Sequence, residues 1–419
     1  MRWRSRALVV VSAAGLSLAL ASLSPRSPGG PTDYDIELTG LQKEIAELGQ
    51  KAFAPPIDVE RATRFVHRLN QRAYLTGGPG DFKAADAAMA RAVQDVGPSP
   101  PFYFLKANLD FKFHRLDRAR DTLAALSRSG GNAHAAALNA SITFQDGGYE
   151  EAKREYQLAI EKNPTWDNLA RLAYWEAKFG DPQTADRLYE QAEDAISAKG
   201  MRSYAWVELE RGVLSLKRGR HREALAHYRR AEKAYSGYWL VDEHLAELLG
   251  AERKFAEAAA LYETVIARAP RPEFQQALGD LLLVMGKADR ARPWHERALT
   301  AYLESVERGE AHYYHHLTGF YADVRGDGAE AVRWARKDVQ LRRNFMTQEA
   351  LAWALYRNGQ FAEALDTIKL ALSSGVIDAH LFFHAALIHL GAGRVEEGKR
   401  LLQQAADINP RFEEFHVHR

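Results

Sequence analysis

Nine of the chain's 15 histidines lie beyond residue 290: His295, His312, His315, His316, His380, His384, His389, His416 and His418. His312 and His316 stand four apart, as do His380 and His384. On a helix that interval brings two imidazoles to one face, the spacing at which they ligate a transition metal. The two pairs belong to different helices, and neither has a carboxylate in an obvious third-ligand position. Packed or surface histidines are therefore the expectation, with no bound metal and no cofactor. His312, His316, His380 and His384 are weak candidates only.

Other chemistry is excluded more firmly. Gly77-Gly78-Pro79-Gly80 follows no strand and precedes no Lys-Ser or Lys-Thr, so it is not a phosphate loop. Neither H-E-x-x-H nor G-x-S-x-G occurs. Glu150-Glu151 sits at a helix start, where carboxylates complement the helix dipole. The chain has no cysteine, which removes disulfides, thiol catalysis and thiolate metal sites. With 56 basic against 55 acidic residues it lacks the basic field of a nucleic-acid binder. No enzyme, no small-molecule substrate and no nucleic-acid partner is expected. The densest basic run, Lys217 to Arg222, straddles a turn and reads as solvated, or as a contact for anionic lipid or an acidic partner.

The elements that carry these residues are helices in a repeated pattern. Hydrophobic residues make up 46% of the chain, ordinary for a folded protein. Gly147-Gly148 opens a helix whose Tyr149, Ala152, Tyr156 and Ala159 share one face, and Pro164 ends it. A preceding helix carries the stripe Ala136, Ala140 and Phe144. The counterparts of Ala152 are Ala85, Ala119, Ala185, Ala224, Ala258, Ala291, Ala331, Ala364 and Gly398. Successive intervals are 34, 33, 33, 39, 34, 33, 40, 33 and 34 residues. The turn glycine recurs as Gly147, Gly180, Gly219, Gly286, Gly326, Gly359 and Gly393, with Arg253 in its place once. A small residue recurs on the first helix as Ala140, Ala173, Gly212, Ala246, Gly279, Gly319, Ala352 and Ala386. Facing small residues let two antiparallel helices approach closely.

By this period and these landmarks the chain resembles the tetratricopeptide repeat family. The resemblance implies an all-α, right-handed superhelical solenoid of about ten helical hairpins, acting as a non-enzymatic scaffold for a protein or peptide. It implies that first helices line a concave groove, here through Phe104, Asn108, Phe111, Phe144, Tyr174 and Asp280. Further on the groove would continue through Tyr313, His316, Phe320, Glu349, Trp353, Tyr356 and Arg357. Those last seven are the expected principal binding surface, since aromatic and arginine side chains dominate interface hot spots. Units of such an array contact only their neighbours, so an overpacked Ala152→Leu should leave the helices beyond residue 300 untouched.

The ends read differently. Residues 1–24 form an expected signal peptide: Arg2, Arg4 and Arg6, an apolar stretch from Ala7, then Ala19-Leu20-Ala21 as the cleavage site. An uncleaved anchor is the alternative, which would make the protein a membrane-held envelope assembly factor. A composition rich in Ala and Arg suits a bacterial protein of the periplasm or cell exterior. Residues 25–54 hold a linker and an N-terminal helix with the stripe Leu38, Leu41, Ile45 and Leu48, expected to dock on the first repeat. Units one to four then fill 55–200, five to seven 201–309, eight to ten 310–410, and 411–419 form a tail. The surplus residues at Glu193–Tyr204 and Thr300–His312 are expected to lengthen the second helix of their units.

Overall fold

The computed structural model describes residues 30–97, 100–128 and 134–416, so the expected signal peptide lies outside the described residues. Among them every regular element is helical. The first, α1 (Asp33–Gly49), begins with Thr32 and Asp35 in a reciprocal capping box. Then come α2 (Val59–Thr76) with α3 (Pro79–Val96), α4 (Pro100–Lys112) with α5 (Leu116–Arg128), and α6 (Ala135–Gln145) with α7 (Tyr149–Lys162). The next hairpins pair α8 (Trp166–Phe179) with α9 (Pro182–Asp194), α10 (Met201–Leu216) with α11 (His221–Ala234), and α12 (Trp239–Ala251) with α13 (Phe255–Arg268). They continue as α14 (Pro272–Val284) with α15 (Ala288–Glu307), and α16 (Tyr314–Gly319) with α17 (Gly328–Leu341). The last are α18 (Phe345–Arg357) with α19 (Phe361–Leu372), and α20 (Ala379–Gly391) with α21 (Val395–Ile408). These are ten hairpins stacked in sequence order, the all-α solenoid that the spacing predicts.

The landmark residues explain the stacking. Ala85, Ala119, Ala152, Ala185, Ala224, Ala258, Ala291, Ala331 and Ala364 are all wholly buried. A Cβ on Gly212 would run into the Tyr228 ring, so glycine there sets how closely α10 approaches α11. Two residues before most second helices the chain turns in the left-handed region, at Gly77, Gly147, Gly219, Gly286, Gly326, Gly359 and Gly393, whereas Gly180, before α9, has φ −119°. Arg253 occupies the same place with φ 61°, and so does His114 with φ 57°, both against the preference of residues bearing a Cβ.

The two surplus segments differ. In the second, α15 runs to 20 residues and carries the extra length as expected. In the first, α9 stops at Asp194 after 13 residues; the extra length is instead a turn and an earlier start of α10. Beyond α16 the chain widens into a π-helical stretch, Phe320–Arg325, before α17.

The array also winds until one superhelical turn touches the next. Trp239 Nε1 donates to the carbonyl of Leu75 at 3.0 Å, and the Phe345 amide donates to the Tyr149 hydroxyl at 2.7 Å. The Ile377 amide donates to the Lys178 carbonyl at 2.7 Å. Helix α1 docks on α2 and also reaches the turn before α12, where the Tyr34 amide donates to Ser236 O at 3.1 Å. At the other end Phe415 packs on Gly250, and Asn409 and Arg411 close over the turn at Gly219. Within the basic run Lys217–Arg222 the C-terminal segment covers Gly219 and His221, while Arg220 and Arg222 stay exposed, so the turn is solvated in part only. One core unites residues of 34–109 with residues of 205–291 and Phe415, and another unites Ala140–Trp175 with Ala322–Leu401. Units therefore contact more than their chain neighbours.

Candidate functional site

First helices line the inside of the winding, as the repeat pattern predicts. Around units one to six they enclose an open cavity of about 780 Å³. Its wall is aromatic and basic: Tyr74 from α2, Phe111 and Lys112 from α4, Phe144 from α6, Arg171 and Tyr174 from α8, Arg202 and Trp206 from α10. Asp167 and Glu210 are the acidic groups in it. Burial pushes Lys112 down to about 8, with the nearby Arg271 charge acting the same way. Arg171 donates from Nη1 to Ser141 Oγ at 2.6 Å, while its buried Nε has no acceptor among the described residues.

Of the residues expected in the groove, Phe111, Phe144 and Tyr174 line this cavity. Phe104 packs instead on the small core between α5 and α6, and Asn108 donates to its carbonyl at 2.8 Å. Asp280 is engaged by His295 at 2.9 Å. Trp206, Trp239 and Arg202 belong to the wall without having been singled out. Their signal was present, since each sits near the start of a first helix.

The seven-residue C-terminal patch is a different matter. Tyr313 and Phe320 are buried to 1% and 0% exposure, packed with Tyr302, Leu317 and Trp334. They are corrected from groove surface to core, because the overlong α15 brings Tyr302 against them. His316 stacks on Tyr302 with centroids 5.7 Å apart. Tyr356 stacks on Trp353 at 5.1 Å, and Arg357 donates to the Ala322 carbonyl at 3.0 Å. Trp353 is itself buried and donates to the Asp323 carboxylate at 3.1 Å. The seven do not form one open surface.

What Glu349 and Trp353 line is a smaller cavity of about 140 Å³ where the two superhelical turns meet. The π-helical stretch supplies Asp323, α20 supplies His380 and His384, and the earlier turn sends in Lys178 and Lys217. Glu349 Oε1 lies 2.9 Å from His380 Nδ1 and 3.1 Å from His384 Nδ1. This corrects the expectation that no carboxylate accompanies the pair, since the acid comes from the neighbouring first helix. Burial favours a neutral Glu349, but the two imidazoles prevail and hold its pKa at about 2. Burial, helped by the His380 charge, pushes His384 down to about 4. The other weak pair is not on one helical face: His312 falls in the turn before α16 and stacks on His114 at 6.0 Å.

No family model matches the chain. A curated relative, the TPR repeat-containing protein YpiA of Bacillus subtilis (strain 168), is 27% identical over 179 residues. The match takes in 42% of this chain and spans about two fifths (41%) of that relative's length. A solved tetratricopeptide repeat protein from Parabacteroides merdae ATCC 43184 is 18% identical, covering 58% of this chain and 93% of its own, with a TM-score of 0.36. With its period of 33 to 40 residues, its buried alanine series and its ten stacked hairpins, this chain is an all-α solenoid whose repeats are similar to those of tetratricopeptide repeat proteins.

Proposed function

We propose that the protein is an exported, non-enzymatic scaffold that binds a segment of another protein in the groove lined by units one to six. The observation that carries this reading is the aromatic and basic wall of the 780 Å³ cavity, with Phe111, Tyr174 and Trp206 around Arg171 and Arg202. Aromatic and arginine side chains supply most of the energy at protein interfaces, and concave walls desolvate what they hold. Two acids among the cavity's charged groups leave a basic balance, so the preferred segment carries apolar residues and at least one carboxylate. The arginine start and the small residues of the Ala19-Leu20-Ala21 site support export to the periplasm or cell exterior, with cleavage after Ala21. Retention of the segment would instead anchor the protein to the membrane.

Selection from a randomised peptide display library against the full chain tests the reading. Retained peptides should be enriched in aromatic or aliphatic residues beside Asp or Glu. Arg171→Gln and Tyr174→Ala should each weaken them by tenfold or more, a loss of roughly 1.4 kcal/mol. Peptides that bind both variants as tightly as the unaltered chain would place the binding surface elsewhere.

A further inference from the structure

We propose that Glu349, His380 and His384 form a binding site for a divalent transition-metal ion, with zinc the best match. The three side chains come from adjacent first helices. Glu349 stands in the middle of α18, and His380 and His384 stand one turn apart at the start of α20. One ligand atom from each lies within 4.8 Å of the others, and no other such group of three occurs among the described residues.

Geometry separates this cluster from an ordinary ion pair. Glu349 Oε1 and His384 Nδ1 are 3.1 Å apart and buried, yet neither makes a hydrogen bond among the described residues. The atoms stand at ion-pair distance, Glu349 Oε1 from both imidazoles, without the alignment of a hydrogen bond, and buried polar atoms so placed need an explanation. An ion bound between the three donors would supply the missing partner. A tetrahedral zinc ion about 2.0–2.1 Å from each nitrogen and oxygen holds its donors roughly 3.3 Å apart. The distances of 2.9 and 3.1 Å need only a small expansion to meet that.

The surroundings hold the donors in place. Asp378 caps α20, accepting from the amides of His380 at 3.0 Å and Leu381 at 3.3 Å. Trp353 lies flat on the His384 ring, 4.0 Å between centroids and 4° from parallel, which fixes the plane of that imidazole. Two lysines, Lys178 and Lys217, also line the adjoining cavity; Asp378 lies 2.8 Å from Lys178 and feels the charge of both. The adjoining cavity of about 140 Å³ leaves room for an oxygen donor as fourth ligand. Two imidazoles and one carboxylate suit zinc, or iron(II), cobalt(II) and nickel(II), better than magnesium or calcium, which take oxygen ligands. The Phe320–Arg325 π-helical stretch borders the same cavity, and such stretches occur frequently at functional sites.

The experiment is calorimetric titration of the full chain, prepared without a polyhistidine tag, with zinc chloride. Cobalt(II) absorption then reports the geometry. One equivalent of zinc should bind at micromolar or lower concentration, and cobalt(II) should give the visible bands of a tetrahedral site. Glu349→Gln and His380→Gln should each lower the affinity at least a hundredfold, whereas His316→Gln should leave it unchanged. His380 is only partly buried, so its replacement keeps the helical fold, checked by circular dichroism, even if Glu349→Gln perturbs it. Absence of stoichiometric uptake by the unaltered chain would overturn the proposal and leave a histidine–glutamate ion pair. Uptake that survives His380→Gln intact would overturn it as well, by locating the metal on other side chains.

Discussion

Lys178 Nζ lies 2.8 Å from a carboxylate oxygen of Asp378, across 200 residues of sequence. The pair joins α8 in the fourth unit to the cap of α20 in the tenth, so it ties one superhelical turn to the next. Both side chains are about 14% and 13% exposed. The Asp378 charge, outweighing burial, raises Lys178 above the ordinary lysine value, and Lys178 holds Asp378 well below the ordinary carboxylate value.

Breaking one partner of such a buried pair leaves the other charge uncompensated, at a cost of about 3–5 kcal/mol. Asp378→Asn retains a side-chain oxygen to cap α20, so its effect isolates the lost charge. We expect it to lower stability by about 3 kcal/mol in urea denaturation, and Lys178→Met in the same chain to recover a large part of that. A double variant no better than Asp378→Asn alone would show that the pair does not link the turns energetically.

Acid should weaken the same region through Asp338. Burial opposes ionisation there, but His315 and Arg342 hold the carboxyl down to about 2, from an ordinary 3.8. Arg342 donates to it at 2.9 Å, His315 Nδ1 stands 3.5 Å away, and His114 also feels its charge. A carboxyl depressed in the folded state binds its proton more readily when unfolded. Its stabilisation is therefore complete above about pH 5 and disappears as pH falls through 3.8 to 2. The shift corresponds to about 2 kcal/mol. Asp338→Asn should flatten the stability profile over that range; an unchanged slope would contradict the assignment.

Ala152 is wholly buried, and its core includes Ala331, Ala352 and Ala364 from later units. Ala152→Leu should overpack that core and cost about 1–3 kcal/mol. Hydrogen exchange should show lost protection in α17 to α19 as well as in α6 to α8, against the nearest-neighbour behaviour of an open array. Loss confined to α6 to α8 would mean that the turns touch without sharing stability.

The hairpins were legible in the sequence because each depends on contacts within about 34 residues: a small residue opposite a small residue, and a turn two residues before the next helix. His114 was missed at that turn, since its side chain gives no sign of its positive φ. The contact of one superhelical turn with the next was not legible. It depends on the angle accumulated over several units, which no local pattern states. That contact brings Lys178 and Lys217 beside the histidines. Tyr313 and Phe320 were misplaced for a related reason: a long α15 turns them inward onto Tyr302. Glu349 is different, since it stands 35 residues before His384, about one repeat period. Positions one period apart on first helices are neighbours, so the third donor could have been found by searching at that spacing.

The central claim is that the groove of units one to six receives a protein segment. Its most direct test is a photoreactive benzoylphenylalanine placed at Tyr174 on the groove wall, or at Leu370 on the exposed face of α19, in the full chain within its native cells. The account predicts a discrete cross-linked partner from position 174 and none from position 370. Cross-linking from position 370 alone would contradict it and move the binding surface to the outside of the solenoid.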